Sequence, residues 1–124
     1  MILQRLKHVY NESYSLAECY YSFLSTLNDL KLTDREISLI AYTAVYGSIS
    51  IQDIKKAFCS TYNTTPATVN NMISKLKKMY LFTKTDNMIV VNPAIQLNFD
   101  KDVKLEISLV HRQATESVSE KLPD

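Results

Sequence analysis

The apolar residues of this 124-residue chain change their period near Leu81, and this change constrains the fold more than any other feature. Before it, from Asp34 to Met79, apolar residues recur at the spacing of one face of a helix. After it, "LFTKTDNMIVV" reads as two short strands around a polar turn at Thr85-Asp86-Asn87. A chain that switches period once, over so few residues, must back helices with a hairpin.

The helical part has its boundaries written in. In "LTDREISLIAYTAVYGS", Thr33 as N-cap with Glu36 three residues on makes a capping box, and Asp34 adds negative charge to the first turn. Ile37, Ile40, Ala41, Ala44 and Val45 follow at helical spacing. Gly47, the only glycine, stands where a left-handed C-cap is needed, so the spacing predicts a helix over 34–46. Ser50 with Asp53 reads as a second cap signature, and Ile51, Ile54, Ala57 and Phe58 predict a helix over 51–61. "TYNTT" turns the chain. Thr65 then caps a third helix over 66–79, with Pro66 at its first position, where the missing N–H costs nothing. Its buried stripe is Val69, Met72, Ile73, Leu76 and Met79 or Tyr80. Three helices followed by a β-hairpin across 81–91 describe an α+β chain of the winged helix-turn-helix type. "LTDRE" and "VNNMISKLKKMYLF" resemble MarR-like and related winged-helix domains over 32–93. That resemblance implies a fold rather than a function.

The flanks complete a single domain over 1–124, with an N-terminal extension (1–31), the winged-helix core (32–93), a C-terminal strand segment (94–110) and a polar tail (111–124). "MILQRLKHVY" reads as a strand or a frayed helix. "SLAECYYSFLSTLNDL" reads as a helix with Leu16, Cys19, Tyr20, Phe23, Leu27 and Leu30 facing inward. "DVKLEISLV" alternates Val103, Leu105, Ile107 and Leu109 with Lys104, Glu106 and Ser108, which predicts a half-buried strand over 103–109, paired with the N-terminal one. The tail "HRQATESVSEKLPD" is polar enough to be disordered when alone.

Composition narrows the chemistry. Apolar residues are 46% of the chain and charged residues 22%, with no apolar run long enough for a membrane span and no secretion signal at the N-terminus. Cys19 and Cys59 lack metal-like spacing and read as reduced core residues. His8 and His111 have no ligand partner nearby in sequence, so no metal and no cofactor are expected. One glycine cannot build a phosphate cradle, and no nucleophile motif is present, so the chain reads as a non-enzyme with no catalytic residues and no small-molecule substrate.

Two function classes follow. As a DNA reader, the third helix would present Thr68, Asn70, Asn71, Ser74, Lys75 and Lys78, and the hairpin Lys84. Asn can pair with adenine, and Lys reaches phosphate or guanine. Yet 65–74, the half that would read bases, holds no Arg or Lys, Lys84 has Asp86 beside it, and the net charge is only +1. Positive charge is local: residues 65–84 carry four lysines and no acid, while 85–124 carry four bases and seven acids. As an interaction module, the chain would use its tyrosines, which suit interfaces. There are eight, and Tyr10, Tyr14, Tyr20 and Tyr21 crowd the N-terminal segment. Lys104, Glu106, His111 and Arg112 would join them from the C-terminal side.

The whole chain, from "MILQRLKHVY" through "LTDREISLIAYTAVYGSIS" to "NPAIQLNFDKDVKLEISL", resembles small winged-helix proteins of crAss-like tailed bacteriophages. Richness in Asn, Lys, Ile, Tyr and Ser fits an AT-rich genome of that kind. The resemblance implies a virion component such as a neck or tail ring subunit, assembled in the host cytoplasm with like subunits and neighbouring virion proteins. The alternative is a cytoplasmic regulator that binds double-stranded DNA.

Overall fold

The structure, a computed structural model, describes residues 2–113. Four helices and one antiparallel hairpin follow in chain order: α1 (Ser13–Leu27), α2 (Asp34–Tyr46), α3 (Gln52–Tyr62), α4 (Pro66–Lys78), β1 (Phe82–Thr85) and β2 (Met88–Val91), with a 3-10 turn at Pro93–Ile95. The chain is α+β.

Helix α2 is the central element, packed against α1, α3 and β2. Its capping box is complete. The Thr33 N–H donates to Glu36 Oε1 at 2.8 Å, and the Glu36 N–H donates to Thr33 Oγ1 at 3.2 Å. Gly47 ends it at φ 93°, a region that favours glycine. Leu39, Ile40 and Ala41 are buried together, so the helix is enclosed on more than one face.

α3 and α4 are joined through Asn63, Thr64 and Thr65, with Asn63 left-handed at φ 51°. Thr65 caps α4 by accepting from the Thr68 N–H, and Val69, Ile73 and Leu76 turn into the core. Tyr80, a candidate for that stripe, instead takes φ 61° beyond the helix end and is exposed. The hairpin turns at Asp86 and Asn87, both at positive φ, as a two-residue loop that matches strand twist demands. Phe82 pairs with Val91 and both are buried.

Four expectations are corrected. No strand forms over 103–109: these residues carry no ladder, and all but Val103 are exposed. Alternation prepares a strand but a partner must hydrogen-bond it, and 2–10, the expected partner, is likewise neither strand nor helix. Helix α1 forms, and Tyr20 and Leu30 pack against the core as expected, but its fully buried positions are Ala17, Tyr21 and Ser25, and Phe23 and Leu27 are exposed. Finally, Ser50 does not cap α3. Its hydroxyl accepts from the Ile89 N–H at 2.9 Å, and the Ile49 N–H donates to the Ile89 carbonyl, so 49–50 lines the outer edge of β2 instead. Of the tail 111–124, residues 114–124 lie outside the described residues.

Past β2, side chains hold the chain down. The Asn92 amide N–H2 donates to the Tyr80 carbonyl, and Asn92 Oδ1 accepts from the Ala94 N–H. The Gln96 amide donates to the Ala44 carbonyl at 3.1 Å.

Candidate functional site

The outward face of α4 carries all six side chains expected there: Thr68, Asn70, Asn71, Ser74, Lys75 and Lys78 are exposed, as is Lys84 on β1. Three of them are already engaged. Thr68 faces its own cap, its hydroxyl 3.0 Å from that of Thr65. Asn70 Oδ1 accepts from Lys55 Nζ of α3 at 3.0 Å. Lys75 Nζ lies 2.8 Å from Glu36 Oε2 and donates to Oε1, tying α4 to the start of α2. Asn71, Ser74 and Lys78 have no side-chain partner among the described residues. The face is therefore polar and organised, with Lys75 serving the fold.

Glu36 is buried while Lys75 is half exposed. Burial alone would raise the Glu36 pKa, but the Lys75 ammonium and the Thr33 N–H together hold it below the ordinary carboxylate value. A carboxyl with a lowered folded pKa stabilises the fold above its unfolded pKa, and that stabilisation is lost as pH falls through the folded value. Lys75→Met is expected to cost about 1 kcal/mol near neutral pH. The difference from the parent chain should shrink as pH drops below about 4.3, where the unfolded carboxyl protonates. Urea unfolding across a pH series measures both.

The tyrosines separate into two environments. Tyr21 is fully buried and donates to the Ile95 carbonyl at 2.8 Å, so the interface role expected of it is corrected: it has no surface to offer. Burial, with Tyr20 beside it, pushes its phenol well above the ordinary range. Tyr14 hydrogen-bonds the Tyr62 hydroxyl and donates to Glu18 Oε2, and its ring meets Tyr42 edge-on. Tyr42 in turn stacks with Tyr46 and Phe58, and Phe58 with Tyr62, under the Arg35 guanidinium. This ladder joins α1, α2 and α3. It accounts for four of the eight tyrosines without any partner protein. Tyr20 is half-buried and Tyr10 exposed, stacked with His8.

An open groove of about 600 Å³ runs between α1 and α2, lined by Tyr10, Glu18, Cys19, Asp34 and Ser38 among others. Cys19 and Cys59 are both half-buried free thiols. Among the described residues, no three His, Cys, Asp or Glu side chains gather as a metal site would require, and no helix is long and apolar enough to cross a membrane.

The terminal segments contrast with this. Residues 2–10 are exposed throughout, with Ile2 and Leu6 each 93% accessible. Leu105, Ile107, Leu109 and Val110 are exposed on the C-terminal side, beside Lys104, Glu106, His111 and Arg112. Lys104 and Glu106 pair with each other at 3.1 Å in solvent. The alternating period over 103–109 pointed to the C-terminal group, whereas Ile2, Leu3, Leu6 and Val9 were signalled only by the density of apolar side chains near the N-terminus.

The described residues thus form an α+β fold of four helices and one hairpin, with a polar helix face and two apolar arms. Comparison with protein-family models, with curated proteins and with solved structures gives no match.

Proposed function

We propose that the chain is a non-enzymatic winged-helix assembly protein, a virion component of a tailed bacteriophage such as a neck or tail ring subunit. Its terminal arms join it to like subunits and to neighbouring virion proteins. The observation that carries this reading is the pair of arms: residues 2–10 and 103–113 present eight aliphatic side chains to solvent, and Tyr10 with them, without helix or strand. Apolar side chains concentrated on unstructured termini gain little for an isolated chain, and they order favourably when a partner covers them. The alternation over 103–109 suits strand addition to a neighbour's sheet edge.

Deletion of 2–10, or truncation after Asp102, is expected to leave the unfolding midpoint nearly unchanged, because neither arm belongs to the buried core. Either deletion should shift the oligomer towards single chains in light scattering. Proteomics of purified particles would place the protein in the virion under this reading. Its absence there, with arm-deleted phage assembling normally, would overturn it.

A second reading, a DNA-binding regulator, is favoured by one observation: Asn71, Ser74 and Lys78 lie exposed and uncommitted on one side of α4. Under it, Lys78→Ala would weaken duplex binding and lower the salt slope by about 1, and Asn71→Ala would relax sequence preference. Under the assembly reading, gel shifts at low salt show no sequence-selective complex.

A further inference from the structure

β1 is an edge strand with unused hydrogen-bonding groups. In a two-residue hairpin the closing pair, Thr85 with Met88, exchanges hydrogen bonds, and so does every second pair beyond it. Phe82 and Lys84 therefore aim their N–H and C=O groups away from β2. On β2 the corresponding groups of Ile89 are taken up by Ser50 and Ile49. Among the described residues nothing takes up those of Lys84. The hairpin thus has one closed edge and one open edge. The chain also holds a segment patterned as a strand and left unpaired, residues 103–109.

We infer that residues 105–108 of a second copy add to β1 as an antiparallel third strand. Charge fixes the register. Setting the partner subunit's Glu106 opposite Lys84 also brings the partner subunit's Lys104 beside Asp86, so both charges of the edge meet an opposite one. In a parallel arrangement the same Lys84 match would leave Asp86 beside the partner subunit's Ser108. The faces agree as well. Phe82, Ile89 and Val91 face the core, so Thr83, Thr85, Met88 and Val90 lie on the opposite face. The partner subunit's Leu105 and Ile107 fall beside Thr85 and Thr83 on that face, and they widen the apolar strip that Met88 and Val90 begin. Lysine on an edge strand turns away arbitrary strands; an acid at the matching position admits this one.

The same chain's segment is not placed to do this. It leaves the fold on the β2 side, where Asp100 shares a groove with Gly47 and Val90. The four residues to Lys104 span about 14 Å at most, and they would have to run out along β2, round the turn and on to the far side of β1. The arm of a second copy has no such tether, and it is exposed from Lys104 onward through Gln113. Edge and arm are different surfaces, so the contact is head-to-tail, the kind that can close into a ring. Four residue pairs bury less than the roughly 1,200 Å² of a stable interface, so the N-terminal arm is needed too, as the assembly reading already requires.

The contact rests on the assembly reading and supplies one of its joints. Sedimentation of the full chain should show association. Glu106→Pro removes an arm N–H on which no part of the fold depends, and Lys84→Pro removes only the outward N–H of β1, a change that an edge strand tolerates. Each should raise the dissociation constant about tenfold, with the unfolding midpoint of Glu106→Pro unchanged. Lys84→Glu alone and Glu106→Lys alone should each raise it about fivefold by setting like charges opposite one another. An equimolar mixture of those two chains should associate as tightly as the parent, because every contact between unlike chains again joins opposite charges. Parent-like association of either proline variant, or a mixture no tighter than its separate components, overturns strand addition at β1. If all four variants associate like the parent while truncation after Asp102 or removal of 2–10 disperses the oligomer, the assembly reading stands without it. A wild-type monomer at every concentration overturns both.

Discussion

Phe58→Ala is expected to destabilise the chain by about 3–5 kcal/mol, as measured by urea or thermal unfolding. Phe58 is fully buried and is the only residue of α3 so enclosed. Its ring meets Tyr42 of α2 at 5.3 Å, edge to face, and Tyr62 at 4.7 Å. Truncation removes the ring from the hydrophobic core and leaves a cavity between α2 and α3. It also removes two aromatic pairs, each worth about 0.5–1.5 kcal/mol beyond area. A domain of this size is stable by only about 5–15 kcal/mol, so the variant should be close to the limit of folding. Phe58→Leu fills part of the space and should recover a sizeable share of the loss. Equal stability of the alanine and parent chains would mean that α3 does not pack as described.

Tyr21→Phe should cost about 1–3 kcal/mol through one atom, because the Ile95 carbonyl loses its donor within a partly buried site. The ring stays, so the α1–α2 contact should survive. The loss should appear locally, as faster amide exchange over 93–99, the segment that Tyr21 and Gln96 hold against the body. Exchange unchanged there, with a uniform loss elsewhere, would assign the hydroxyl no anchoring role.

What was legible in the sequence was what local interactions decide. The Thr33–Glu36 box and Gly47 lie within a few residues of the bonds they make, and α2 begins and ends where they put it. Thr65-Pro66 set the start of α4, and Asp86-Asn87 set the hairpin turn, for the same reason. The inward face of α1 was only partly legible. Tyr20 and Leu30 pack against the core, but the fully buried positions are Ala17, Tyr21 and Ser25, and Phe23 and Leu27 stay exposed, a choice that only the packing of the whole fold makes. Ser50 likewise had two possible uses, and only the arrival of β2 from 39 residues away decides between them. The strand expected over 103–109 needed a partner strand, and none pairs with it among the described residues.

The candidate site was read with similar unevenness. The positions expected on the face of α4 are exposed, because helical period alone predicts them. Their availability was not readable: Lys75 is drawn to Glu36 and Asn70 to Lys55 by contacts across helices. The crowding of tyrosines pointed to an interface, but Tyr14, Tyr42, Tyr46 and Tyr62 mostly stack on one another and on Phe58. The apolar residues of the arms, more than the tyrosines, now support the assembly reading.

Sedimentation equilibrium of the full chain over a wide concentration range tests that reading most directly. The expected mass lies above that of one chain and falls to one chain when 2–10 is removed, while the helical spectrum and unfolding midpoint persist. A single-chain mass at every concentration, unchanged by removal of the arm, would contradict it.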